Sequence, residues 1–273
     1  MRGMFTCGVT DVFMENGIAF DGAAGISAGA AFGCNIVSRQ PGRAIRYNKR
    51  YGRDWRYCSL RSLALTGDLY GADFCYRVLP DELDVFDRAV FRDNPMAFWV
   101  GATDVETGRI VYHNCVNGDD RDIQWMRASA SMPLVSRPVA LDGRLYLDGG
   151  IAEAVPLSIM RRQGYDRCVA VLTQPGGYRK PPTKGMPLFR LALWRWPEVA
   201  KAMASRHERY NAQMDAIDAM EASGTLLVIR PARSLGISRT ENHPDELERV
   251  YRLGREQASA RLDEVRSYLE AGK

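Results

Sequence analysis

Residues 25–29 read Gly-Ile-Ser-Ala-Gly, a G-x-S-x-G pentapeptide. A serine so placed can sit on a tight turn between strand and helix, its hydroxyl lifted clear of the backbone. The next N–H, that of Ala28, can then help hold an oxyanion. The flanking glycines Gly25 and Gly29 let strand and helix pack closely, and the field at a helix N-terminus favours developing negative charge. Composition alone yields such a pentapeptide in roughly one chain in eight of this make-up, so context decides. Phe20 to Ala24 is strand-like and the small-residue run to Ser38 suits a helix. That context favours a nucleophile over a merely tight glycine turn.

A serine nucleophile needs a base. The chain holds three histidines: His113 in a strand-like run, His207 in a charged helical stretch, and His243 before Pro244. None lies on a loop after a late strand, where a triad histidine belongs. Asp148 ends a strand-like run and precedes Gly149 and Gly150, so its carboxylate can be presented with little crowding. A hairpin exit or Asx-turn explains Asp148 equally well on its own. Chain position argues strongly against one architecture. In an α/β-hydrolase several strands precede the nucleophile, and only 24 residues precede Gly25 here.

The elements that must position these residues follow from periodicity. Phe5, Val9, Val12 and Phe13 mark one apolar helical face, stopped by Asn16-Gly17. Two strands, 97–105 and 109–115, flank the turn Glu106-Thr107-Gly108. A helix over 122–132 stops at Pro133, and strands 134–141 and 144–147 surround Asp142-Gly143, a favoured hairpin turn. A helix follows from Pro156 to Gln163, and Cys168 to Thr173 suits a buried parallel strand. Residues 175–187, with four prolines and three glycines, are linker-like. Beyond them the pattern predicts a long helical stretch to about Ala222, a strand at 226–230 and a charged helix over 244–270. Residues 39–80 carry no clear period. Strands alternating with helices indicate an α/β fold.

Composition narrows the setting. Hydrophobic residues make up 46% and charged residues 26%, a globular balance that excludes disorder and coiled coil. The uncharged stretch 22–37 is rich in Gly and Ala, unlike a bilayer span of about 20 apolar residues. With no apolar signal segment near the start, a cytoplasmic protein is expected. Six scattered cysteines, without zinc spacing, read as reduced thiols. A net charge of +4 is too small to indicate a nucleic-acid partner. Residues 186–197 mix Leu188, Leu191, Trp194 and Trp196 with Arg190 and Arg195. Such a stripe fits a core-facing helix better than a lipid-facing surface, though it suits both.

Taken together, the early G-x-S-x-G at Ser27 and Asp-Gly-Gly at Asp148, 121 residues apart, resemble the patatin-like phospholipases. The blocks Ala128-Ser129-Ala130-Ser131-Met132-Pro133 and Ala102-Thr103-Asp104 with Thr107-Gly108 are similar to that family's internal segments. Arg230-Pro231 and Tyr251-x-x-Gly254 resemble a short C-terminal domain of unknown function found in one bacterial branch. The resemblance implies an α/β, three-layer fold with a mostly parallel central sheet flanked by helices. Residues 1–178 would form the hydrolase domain and 179–273 a mainly helical extension. It further implies a lipid acyl hydrolase of phospholipase A or esterase type, with Ser27 as nucleophile, Asp148 as general base, and no metal or cofactor. The substrate would be a phospholipid or other acyl-ester lipid, met by a cytoplasmic protein that touches the membrane surface transiently. The family pattern opens with a strand and G-G-G-x-R-G, whose backbone N–H groups form the oxyanion hole. This sequence starts Met1-Arg2-Gly3 and matches only x-R-G, so an N-terminally truncated, impaired member is expected, with Gly3 and Ala28 as oxyanion donors. A non-catalytic lipid-binding or interaction protein on the same fold, and a serine esterase with a histidine base, are the competing readings.

Overall fold

The computed structural model describes residues 1–271. Helix α1 (Gly3–Glu15) buries Met4, Phe5, Val9 and Val12, the stripe that its apolar spacing predicts. Strand β1 (Gly22–Ile26) then runs into α2 (Ala28–Val37) with only Ser27 between them. The periodless stretch resolves into short helices, α3 (Arg43–Tyr51), α4 (Leu60–Thr66) and a wide i→i+5 helix over Phe74–Leu83. Local devices define them: the Ser59 hydroxyl caps α4 by accepting from the Ser62 N–H, and Gly67 ends it in the left-handed region. Helix α5 (Arg88–Asp93) leads to β2 (Ala97–Asp104), and β3 (Ile110–Cys115) to α6 (Asp120–Ala130).

Strands β4 (Val139–Leu141) and β5 (Arg144–Asp148) form a hairpin, followed by a 3-10 turn at Gly149–Ile151. After α7 (Leu157–Arg162) and β6 (Cys168–Val171), the expected long helix is divided by turns at Leu193–Trp196 and Ser205. The pieces are α8 (Met186–Ala192), α9 (Pro197–Ala204) and α10 (Arg206–Ala222). Strand β7 (Leu226–Ile229) precedes α11 (Pro244–Ala260) and α12 (Leu262–Glu270), which divide the predicted terminal helix at Arg261.

The class is α/β, with helices flanking the sheet. Strand β2 lies at its centre, parallel to β1 and antiparallel to β3 and β5, and β4 pairs with β5. A second, two-stranded parallel sheet pairs β6 with β7. Among the described residues parallel pairing is thus confined to β1–β2 and β6–β7. The turns at Gly108 and Gly143, both at positive φ, are too short for a crossover, so the strands they join run antiparallel. The register around β2 is what positions the site. Ile26 lies beside Gly101 and Asp148 beside Ala102 while β3 takes the other edge, so the ends of β1 and β5 meet at neighbouring positions along one edge of β2.

The two ends of the chain pack together. A Cβ at Gly8 would lie 2.1 Å from the Tyr251 carbonyl oxygen, and one at Gly254 would lie 2.0 Å from that of Phe5. Only glycine at both crossings lets α1 and α11 approach this closely. The buried Asp11 carboxylate accepts from the Tyr251 hydroxyl (2.7 Å) and the Gly42 N–H (2.8 Å), and Arg255 pairs with Glu15 (2.6 Å). Strands β6 and β7, on either side of the linker-like segment, share one sheet. No helix of the described residues is long and apolar enough to cross a membrane.

Candidate active site

Ser27 occupies the one-residue junction between β1 and α2 with φ 56° and ψ −119°. That conformation is strained for any residue with a Cβ, at a cost on the order of 1–3 kcal/mol, so the surroundings must enforce it. Three contacts do so. A Cβ at Gly25 would sit 2.3 Å from the Gly29 carbonyl oxygen, so glycine is required where the helix folds back on the strand. The Ser27 N–H donates to the Ser129 hydroxyl (2.9 Å), which itself donates to the Gly101 carbonyl (2.6 Å). The Ser27 carbonyl accepts from Ala30 and Ala31 in the first turn of α2. Gly29 differs from Gly25, since a Cβ there would meet nothing within 4 Å.

Replacing Ser27 by Ala and by Gly removes the same hydroxyl but leaves different backbones. The glycine variant is expected to be about 1 kcal/mol more stable than the alanine variant, strain relief outweighing the entropy of glycine in the unfolded chain. Denaturant midpoints of the two variants measure that difference; equal midpoints would mean the turn is unstrained.

Further along the same edge of β2, Asp148 at the end of β5 brings its carboxylate to the serine. Its Oδ2 accepts the Ser27 Oγ–H at 2.6 Å and its Oδ1 accepts the Gly150 N–H at 2.7 Å. The carboxylate is buried, and its backbone is held by Asp148 N–H to the Ser131 carbonyl and by the Thr103 hydroxyl donating to the Asp148 carbonyl. Gly149 packs where a Cβ would lie 2.2 Å from the Gly101 carbonyl oxygen. Burial raises the Asp148 pKa above the ordinary carboxylate range. The Ser27 hydrogen bond, the Arg206 guanidinium, the Gly150 N–H and Arg239 each oppose that rise.

The N-terminal residues complete the rim. A Cβ on Gly3 would touch the Ala28 Cβ at 3.0 Å and the Phe32 ring at 2.7 Å, so Gly3 lies against the first turn of α2. Arg2 lies among Arg239, Tyr178 and Tyr210. The Met1 amine donates to the Ser238 carbonyl, tying this end to the loop that carries Arg239.

Two positions here carry no motif signal. Ser129 falls inside a segment legible only through family resemblance, and its role as a brace emerges from the contact with Ser27. Arg206 opens α10, far along the chain, and donates to the Gly150 carbonyl at 2.5 Å; Arg209, one turn on, donates to the Ile151 carbonyl at 2.7 Å. Two arginines three residues apart on a charged helix read as solvated, and only the fold brings them onto the turn after Asp148.

The histidines are engaged elsewhere. His113 Nε2 meets Asp122 Oδ1 at 2.9 Å with its ring stacked on Trp125, His207 Nδ1 faces the Ala204 carbonyl, and the exposed His243 sits just before α11 without a side-chain capping bond. Among the described residues one group of metal-ligating types converges, His113, Cys115 and Asp122. Asp122 is already engaged there: its Oδ2 accepts the Asn117 and Gly118 N–H groups while Oδ1 faces His113, which ties β3 to α6.

Asp148 lines a pocket of about 280 Å³, with Met132, Ile151, Phe189 and Met203 among its apolar lining. Helix α8 stands at its edge. Phe189 and Leu193 turn inward, but Leu188, Leu191 and Trp194 are 62–71% exposed, so the helix is not the core-facing element that its stripe suggests.

The patatin-like phospholipase family matches residues 1–161, and a domain of unknown function (DUF6363) matches residues 196–270. The lysophospholipase NTE1 of Scheffersomyces stipitis is 25% identical over 84% of this chain and 15% of its own length. The Escherichia coli protein YjjU is 32% identical over 64% of this chain and 49% of its own. This chain thus spans half or less of the length of these relatives. VipD from Legionella pneumophila, a solved structure, covers 96% of this chain and 65% of its own at 13% identity, with a TM-score of 0.48.

Proposed function

Because the chain belongs to the patatin-like phospholipase family, we propose that it hydrolyses carboxylic esters of lipids through a Ser27–Asp148 dyad. The observation that carries this reading is the 2.6 Å hydrogen bond from the Ser27 hydroxyl to the Asp148 carboxylate, made at a strained strand-to-helix turn. Ser27 Oγ attacks the ester carbonyl as its proton passes to Asp148 Oδ2. Among the described residues the N–H groups of Ala28 and Gly3 have no backbone partner; in this reading they meet the developing oxyanion, and one such donor is worth about 2.7–4 kcal/mol of barrier. Collapse expels the alcohol, which takes the proton back from Asp148 and leaves an acyl-Ser27 ester. Asp148 then deprotonates water, which attacks the acyl carbon. The second collapse releases the fatty acid and returns the proton to Ser27.

In this scheme Arg206 is a positioning residue. It holds the Gly150 carbonyl and, through charge, favours the ionised carboxylate. The reading is tested with a short-chain p-nitrophenyl ester and a fluorophosphonate probe. Turnover together with a single probe adduct on Ser27 is expected. A protein that neither turns over the ester nor labels would overturn the reading.

Contact with a lipid surface belongs to the same proposal. Leu188, Leu191 and Trp194 project beside the pocket, and Lys184, Arg190 and Arg195 surround them with positive charge suited to anionic lipid. Replacing Leu191 and Trp194 together by Asp is expected to lower hydrolysis of vesicle lipid at least about tenfold, since each apolar side chain contributes roughly 1.5–3 kcal/mol on burial. Turnover of a monomeric water-soluble ester should stay within about twofold. Equal losses on both substrates would place these residues in the fold and remove them from the interface.

A further inference from the structure

Beside Asp148 the pocket wall is rich in cations: Lys180, Lys184, Arg206 and Arg239 line it, and among the described residues Asp148 is the one carboxylate that does. Arg2 lies close enough to Arg239 and Lys180 for their charges to interact. Among the described residues none of these five cations has a carboxylate within ion-pair distance, although neighbours in sequence do: Arg179 pairs with Asp215 and Lys201 with Glu198. Like charges held together without counter-charge repel, and this cluster carries that strain. Burial, together with Arg206, Arg239 and Arg2, pushes the Lys180 amine down to about 8.

Aromatic packing holds the charges in place. Lys180 Nζ lies 4.4 Å from the centre of the Tyr210 ring, which meets Tyr178 edge-on, and Arg206 is fixed by its bond to the Gly150 carbonyl. The catalytic scheme accounts for Arg206 alone. Lys180, Lys184 and Arg239 have no part in moving the proton between Ser27 and Asp148.

Resting on the lipid-ester reading of Ser27, we propose that this wall is a head-group subsite that selects acyl esters bearing a phosphate monoester close to the scissile bond. Guanidinium and ammonium groups lining one small pocket match the charge of a phosphate, which accepts several charge-assisted hydrogen bonds at once. The cavity is small and bounded by Asp148, so phosphate and ester must be separated by only a few bonds, as on a glycerol backbone. A quaternary ammonium head would carry its own positive charge into the same wall, and a neutral glyceride would leave the cations unpaired.

The test uses three substrates with one short acyl chain, each below its micelle concentration: 1-acylglycerol 3-phosphate, 1-acylglycerophosphocholine and 1-acylglycerol. The phosphate monoester is expected to show a kcat/KM at least about tenfold above each of the others. In Lys180→Gln and Arg239→Gln, both of which alter solvent-reaching side chains, that ratio should shrink several-fold. Equal kcat/KM on all three would overturn the subsite and leave the hydrolase reading standing. Calorimetric titration of the same compounds into Ser27→Ala protein judges the subsite independently of turnover. If the wild type hydrolyses none of them, tighter binding of the phosphate monoester still supports the subsite, and indifference sinks it. Inorganic phosphate is titrated alongside. If it binds as tightly as the phosphorylated lipid, the wall is a free-phosphate site and the head-group assignment falls.

Discussion

Ser27→Ala is expected to lower ester hydrolysis by on the order of 10⁶-fold, the scale seen when a hydrolase loses its nucleophile. Fluorophosphonate labelling should vanish with it, while the far-ultraviolet circular dichroism stays that of the parent. The fold should survive because alanine adds no strain that serine lacks, the N–H at position 27 still reaches Ser129 and its carbonyl still starts α2. No neighbouring hydroxyl can take over. Ser129 is fully buried and its proton is given to the Gly101 carbonyl. A Ser27→Ala protein that hydrolysed the ester at the parental rate would move the nucleophile elsewhere.

Asp148→Asn should cost about 10²–10⁴ in rate, the range for removing a positioned general base. The amide keeps an oxygen for the Gly150 N–H but cannot accept the serine proton. Gln at 113, 207 or 243, made singly, should leave most of the rate, and a histidine variant as inactive as Ser27→Ala would restore a triad. The pH profile provides a second reading. Only ionised Asp148 is a base, and burial raises its pKa. The acid limb of kcat/KM should therefore lie above the ordinary aspartate value of about 3.9. Arg206 opposes the rise, so Arg206→Gln destabilises the carboxylate and shifts the limb to higher pH, whereas Arg206→Lys keeps most of the charge and should shift it less. A limb that stays in place in Arg206→Gln would mean that another group is titrating.

Ser27 and Asp148 were legible as candidates because each sits at the end of a strand-like run beside small residues, but their pairing came from the family resemblance. The common neighbour that aligns them, β2 at Gly101 and Ala102, has no chemical signature and becomes visible only in the register. Arg206 and Lys180 escaped for a related reason: charged residues on helices and linkers are the ordinary dress of a surface, and long-range packing alone distinguishes those facing a pocket. Residues 39–80 were unreadable because α3 and α4 are short and the wide Phe74–Leu83 helix follows no 3.6-residue period. The stripe at 186–197 misled differently. Its apolar residues divide between an inward Phe189 and Leu193 and an outward Leu188, Leu191 and Trp194, a division that a one-dimensional pattern does not encode.

The glycine crossing between α1 and α11 bears on how the protein is made. Asp11 waits for a hydroxyl 240 residues away, and the stripe of Met4, Phe5, Val9 and Val12 waits for the same helix. At a synthesis rate of about 5–20 residues per second, that interval is roughly 10–50 s. Throughout it the nascent chain carries an apolar helix whose main cover has not left the ribosome, a window for chaperone capture or aggregation. Synthesis stopped before Tyr251 should release chains that sediment with the insoluble fraction, whereas chains released after Ala260, with the crossing complete, should remain in solution.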